Sequence, residues 1–169
     1  MTIRQSDIRS SYFYGAVRKS AQEARRASIP TAFLSHSHKD ATLAKGVQAY
    51  LLKRGWDVYI DWEDAAMPDT PSRETADRIR AKIRDLDMFL FLATANSMAS
   101  RWCPWELGYA DGKKPNERIL IMQTRDDGGT THGNEYMQLY RHIDENSFGE
   151  LTAIDPRGRS VILKGPVTP

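Results

Sequence analysis

The chain has a single cysteine, Cys103, among 169 residues. An intramolecular disulfide is therefore impossible, and a framework of the secreted, bridge-stapled kind is excluded. Long apolar runs are also missing. The longest, Met88 to Ala93 (MFLFLA), is a third of the roughly 20 residues a membrane span needs, and no secretory h-region follows the start methionine. Neither sign of charge dominates: the net is +2, too little to argue for a nucleic-acid partner. Repeats, low-complexity tracts and Gly/Ser linkers do not occur. The absences together lead us to expect a cytoplasmic globular protein with neither a membrane nor a nucleic-acid partner.

The charge is unevenly placed. Residues 1–29 carry six Lys/Arg against Asp7 and Glu23, a net +4, leaving −2 on the remainder. Ile8, Tyr12, Phe13, Ala16, Val17, Ala21 and Ala24 form a broad stripe at three-to-four-residue spacing. That spacing predicts a helix over 7–27 with Arg and Lys on its other side. An Arg- and Ser-rich start is also the composition of an organelle transit peptide. Pro30 marks a break, so we divide the chain into an N-terminal helical extension, 1–29, and a main domain, 30–169.

Strand and helix patterns then alternate. Thr31–Ser35, Asp57–Ile60, Met88–Thr94 and Ile119–Gln123 read as buried strands. Asp40–Arg54, a segment opened by Pro71, and a segment opened near Pro104 read as helices. Ala95–Arg101, Thr124–Gly133 and the acidic Asp61–Thr70 read as loops, and Glu135–Tyr140 as one or two helical turns. Leu151–Ile154 and Ser160–Leu163 flank the turn Asp155-Pro156-Arg157-Gly158 as a hairpin. Such alternation implies a mostly parallel α/β sheet with helices on both faces. In a 2-1-3-4-5 strand order the switch point falls between strands one and three. A ligand is expected there, among Ser35–Asp40, Ala95–Arg101 and the start of the helix at Pro104.

With Pro104 at the first helical position, Glu106 falls in the first turn, where free N–H groups and the helix dipole would keep it ionised. Trp102 and Trp105 flank it. A carboxylate beside an aromatic face suits a flat cation, or a sugar that becomes cationic in its transition state. The same spacing also describes an ordinary capping glutamate next to a core tryptophan. His36-x-His38 lacks a third ligand at metal spacing and reads as pocket rim or surface. Asp126-Asp127-Gly128-Gly129 lacks the alternating oxygens of a calcium loop. Cys103 reads as a packed thiol.

Ala32-Phe-Leu-Ser-His-Ser-His-Lys-Asp40 resembles the opening box of TIR (Toll/interleukin-1 receptor) domains. Ser97-x-x-Ser100-x-Trp102-Cys103-x-x-Glu106-Leu107 resembles their box after the third strand, and the Asp155-Pro-Arg-Gly hairpin is similar to a feature of bacterial members. The resemblance covers roughly residues 30–165, and in organisation the chain resembles the stand-alone TIR subunits of Thoeris-type antiphage defence. It implies a flavodoxin-like fold with a five-stranded, mostly parallel sheet, plus the N-terminal helix and C-terminal hairpin.

As activity it implies cleavage of the nicotinamide–ribose bond of NAD, giving ADP-ribose or a cyclic or conjugated product. Glu106 takes the catalytic position and Trp102 lines the nicotinamide site. Ser35, His36, Ser37, Ser97 and Ser100 are further candidates for substrate contact. NAD enters as substrate, with no cofactor and no metal. Self-association through TIR–TIR contacts is implied, with Asp61–Thr70 at the family's self-association loop, as is a separate effector sensing the product. Two alternatives stand beside the enzyme: a non-catalytic TIR–TIR scaffold, and a nucleoside deoxyribosyltransferase that ignores NAD.

Overall fold

A computed structural model describes residues 2–12, 29–68 and 70–163. Its elements, in chain order, begin with β1 (Ile3–Arg4), α1 (Gln5–Tyr12), β2 (Thr31–Ser35), α2 (Ala41–Leu52) and β3 (Asp57–Tyr59). There follow α3 (Arg73–Asp85), β4 (Met88–Ala93), α4 (Ala95–Met98), α5 (Trp102–Asp111) and β5 (Ile119–Arg125). The chain closes with β6 (Arg141–Glu145), β7 (Leu151–Ile154) and β8 (Ser160–Ile162). The sheet runs β3-β2-β4-β5-β6-β7-β8. Its first five strands are parallel, and β7 and β8 continue it antiparallel. The 2-1-3-4-5 order inferred from the sequence is thus the order of the five parallel strands.

The apolar runs explain the layering. All five residues of β2 are buried, as are five of the six in β4, because helices cover both faces. Successive side chains of β4 serve opposite cores. Leu90 and Leu92 join Leu34, Val47, Leu51 and Ile60 beneath α2. Phe89 and Phe91 join Phe33, Ile79, Ile83 and Leu107 beneath α3 and α5.

The expected helix over 7–27 is partly visible. Helix α1 ends its described span at Tyr12, and 13–28 lie outside the described residues. Before it, β1 adds to the carboxyl end of β5, pairing Ile3 with Thr124. Ile8 is fully buried against α2. The crossing is close at Gly46, where an added Cβ would sit 2.4 Å from the carbonyl oxygen of Ile8.

Several boundaries differ from the sequence reading. Arg141–Glu145 is the fifth parallel strand, although only Ile143 within it is buried. Helix α3 starts at Arg73 rather than Pro71, because the Ser72 hydroxyl caps it by accepting from the Thr75 N–H at 3.1 Å. The stretch expected as a loop over 95–101 contains α4, closed by a reciprocal cap between Thr94 and Ser97. Helix α5 starts at Trp102, two residues before Pro104, with the Ser100 hydroxyl accepting from the N–H groups of Trp102 and Cys103.

Candidate active site

A cleft of about 570 Å³ opens at the carboxyl ends of β2 and β3. Strand β2 ends at Ser35, and the next residues, His36 to Lys39, form one wall. The segment after β3, from Asp61 to Pro71, forms the opposite wall, with Thr75 and Ile79 of α3 behind it. Helix α5 contributes Trp102 and Glu106. The frame is tied at the switch point by Asp40, whose carboxylate accepts from the Thr94 hydroxyl and the Asn96 amide, each at 2.6 Å.

Of the seven residues nominated from sequence, His36, Ser37, Ser100, Trp102 and Glu106 line the cleft. Ser97 does not. It is fully buried, and its hydroxyl accepts from the Thr94 N–H at 2.9 Å as part of the α4 cap. Ser35 is also fully buried and lies behind the lining, against the Glu106 carboxyl and the Cys103 thiol. Its hydroxyl makes no hydrogen bond of full geometry yet favours charge on both neighbours.

The charge state expected of Glu106 is overturned. Burial pushes its carboxyl up to about 8, the negative charge of Asp61 adds to the rise, and the Ser35 hydroxyl opposes it. With α5 beginning at Trp102, Glu106 stands a full turn inside, beyond the free N–H groups of the first turn. The residue is 5% exposed. Beside it, burial pushes the Cys103 thiol up to about 11, so Cys103 packs rather than reacts.

Around Trp102 lies an aromatic row. Trp102 meets Trp105 edge to face at 5.3 Å, and Trp105 stacks on Tyr109 at 6.2 Å. The guanidinium of Arg80 lies over Trp105 at 5.2 Å, which ties α5 to α3.

Asp61 and Trp62 were not singled out in the sequence, yet both line the cleft. Asp61 Oδ1 is 3.8 Å from His36 Nε2, and Asp61 Oδ2 is 3.5 Å from His38 Nε2. The Trp62 ring meets His36 edge-on at 4.4 Å. The rule that ligands collect at the carboxyl ends of parallel strands points to this segment, since it follows β3 directly. Farther along, Asp64 anchors the wall: Tyr59 donates its hydroxyl to it at 2.8 Å and Lys82 pairs with it at 3.1 Å. Burial works against the charge on Asp64, but these partners outweigh it and hold its carboxyl below the ordinary value. Among the described residues, no three His, Cys, Asp or Glu side chains converge as a metal site, and no helix is long and apolar enough to cross a membrane.

A five-stranded parallel α/β sheet in 2-1-3-4-5 order, flanked by helices on both faces, is the architecture of a TIR domain. The TIR domain family model matches residues 32–152, and the chain belongs to that family. It is similar to a protein of Bacillus cereus (strain MSX-D12) named as a probable 3′ cyclic ADP-D-ribose synthase, ThsB′. The two are 37% identical over 113 residues, covering 66% of this chain and 58% of that protein. It is also similar to a putative cyclic ADP-D-ribose synthase, TIR2, of Cytobacillus dafuensis: 30% identical over 81 residues, 46% of this chain and 21% of that protein. The chain thus spans little more than half of one of these relatives and about a fifth of the other.

Proposed function

We propose that the chain is an NAD-consuming TIR enzyme that cleaves the nicotinamide–ribose bond and closes the ADP-ribosyl group into a cyclic ADP-ribose signal. The observation that carries this reading is Glu106, a buried carboxyl on the floor of a cleft large enough for a nucleotide, with Trp102 beside it. The names of the two relatives, both cyclic ADP-D-ribose synthases, support cyclisation as the outcome.

One carboxylate is enough for the chemistry. Nicotinamide departs as a neutral molecule from a pyridinium, so no acid has to protonate the leaving atom, whereas an ordinary glycosidase needs a second carboxyl for that purpose. Trp102 offers its ring to the flat cation. Glu106 holds the ribose hydroxyls and faces the oxocarbenium charge that develops as the bond breaks. A carboxyl raised to about 8 is mostly protonated at neutral pH, and the arriving pyridinium draws it to the charged form. Substrate binding thus installs the charge the reaction needs. By analogy with the 3′ product in the Bacillus protein's name, the atom that closes the ring is a hydroxyl of the adenosine ribose.

In the cell, this reading makes the chain a cytoplasmic source of a nucleotide signal in bacterial antiphage immunity, sensed by a separate effector. Self-association through TIR–TIR contacts is a compatible second role. It is supported by the exposed apolar side chains Phe148, Val161 and Ile162, the last two on the edge strand β8.

The test is incubation of the purified protein and its Glu106→Ala variant with NAD, following nicotinamide and adenine products by chromatography. Release that disappears in the variant is the expected result. No release from either protein would move the reading to the scaffold, and equal release from both would take the cleavage away from Glu106.

A further inference from the structure

His36 carries an atom that the fold leaves unsatisfied. Its Nδ1 lies 2.9 Å from the carbonyl oxygen of Leu34. A carbonyl only accepts, so Nδ1 holds the proton and Nε2 presents a lone pair. Nε2 is buried and has no hydrogen-bond partner. Facing it at 3.8 Å is Asp61 Oδ1, which is itself an acceptor. Two acceptors opposed across that gap, in the wall of a cleft, leave a place that a donor satisfies. His36 also stays neutral: burial pushes its imidazole below the ordinary value, against the Leu34 carbonyl and the Asp61 charge, so the lone pair is free at neutral pH.

The geometry points to His36 Nε2 as the base that accepts the proton of the attacking ribose hydroxyl during ring closure, an assignment that rests on the cyclase reading above. In the step, the bond between nicotinamide nitrogen and anomeric carbon breaks, and its electron pair leaves with neutral nicotinamide. The ribose oxygen forms the new bond to that carbon, and its proton passes to Nε2 and then to water. No oxidant, reductant or further reactant is required. Asp61 faces the imidazolium so formed and stabilises it at the moment it exists.

Glu106 is unsuited to this task, because a carboxylate that takes the proton surrenders the charge that steadies the oxocarbenium centre. His38 is unsuited as well, since its side chain is 78% exposed to water on the rim of the cleft. The Trp62 indole meets the histidine ring edge-on and is 38% exposed, so this edge of the site borders solvent.

Such a base decides the fate of the ADP-ribosyl cation. With the ribose hydroxyl activated, the ring closes; without it, water takes the carbon and the product is linear. The experiment compares wild type, His36→Gln and Asp61→Asn on NAD, and reads the ratio of cyclic to linear product per nicotinamide released, which does not depend on the overall rate. A fall of about a hundredfold is expected for His36→Gln, the lower end of the range for a positioned base. A smaller fall in the same direction is expected for Asp61→Asn, which carries the test by itself if circular dichroism shows His36→Gln unfolded. A wild type that cyclises, with folded variants that keep its ratio, overturns the role of His36 and leaves the enzyme reading intact. A wild type that releases no nicotinamide, or makes linear product alone, overturns the cyclase reading and this assignment with it.

Discussion

The Asp40 carboxylate binds the Thr94 hydroxyl at 2.6 Å, joining the segment after β2 to the segment after β4 across 54 positions of sequence. Its other oxygen takes the Asn96 amide at 2.6 Å, so a single side chain closes the switch point on which the cleft stands. Replacing Asp40 with Ala removes two charge-assisted hydrogen bonds and strands their donors. A loss of about 2–4 kcal/mol is expected, read as a lower urea midpoint at unchanged slope. An unchanged midpoint would show that the two segments hold their places without the clamp.

Glu106 couples stability to pH. Its folded value of about 8 lies above the ordinary 4.5, so the native state binds the proton more tightly than the unfolded chain. The contribution is present in full below about 4.5 and is lost as pH rises through 8. Glu106→Gln has no such proton to lose. The variant is therefore expected to gain on wild type as pH increases from 5 to 9, by on the order of 4 kcal/mol at full ionisation. Parallel denaturation curves across that range measure it, and a constant gap would place the carboxyl at its ordinary value.

On activity, Glu106→Gln and Glu106→Ala should both cost at least about a hundredfold in nicotinamide release, the scale for removing a preorganised transition-state contact. Initial rates on NAD, with folding checked by circular dichroism, test this. A loss under tenfold would separate Glu106 from the bond-breaking step.

Trp102→Ala should raise KM for NAD by about five- to thirtyfold, corresponding to about 1–2 kcal/mol of lost cation–ring attraction. Trp102→Phe should recover part of that affinity while keeping the packing against Trp105. Equal KM in all three proteins would remove the ring from the nicotinamide site.

Gly46→Ala probes the seat of the amino-terminal helix. The added methyl would lie 2.4 Å from the Ile8 carbonyl oxygen, so α1 has to shift off α2. A cost of about 1–3 kcal/mol is expected, seen as a drop in Tm. A Tm equal to that of wild type would mean that the crossing gives way freely.

The parallel order was legible because β2, β3, β4 and β5 are largely buried and each is built on a short, mostly apolar run. Arg141–Glu145 escaped notice because it buries one side chain, Ile143, and its polar neighbours resemble a loop. Pro104 misplaced the start of α5 for a simple reason. The first-turn N–H groups of a helix have no internal partner, so proline is tolerated at the third position as well as the first.

That Glu106 and Trp102 lie together at the cleft was legible, since both fall on one short helix at the expected switch point. The protonation of Glu106 could not, because it depends on burial against a different strand. Asp61 and Trp62 belong to an irregular acidic stretch without periodicity, and their meeting with His36 is set by the adjacency of β2 and β3.

Cys103 is the chain's one cysteine, and its thiol is buried and raised to about 11. Thiol-directed dyes and spin labels therefore find no native target in the folded protein. A cysteine introduced on the Asp61–Pro68 wall, at exposed Ala65 or Ala66, would be the sole attachment point. The wild-type background is thus already suited to following that wall by fluorescence or spin resonance while the cleft fills, with no other residue replaced beforehand.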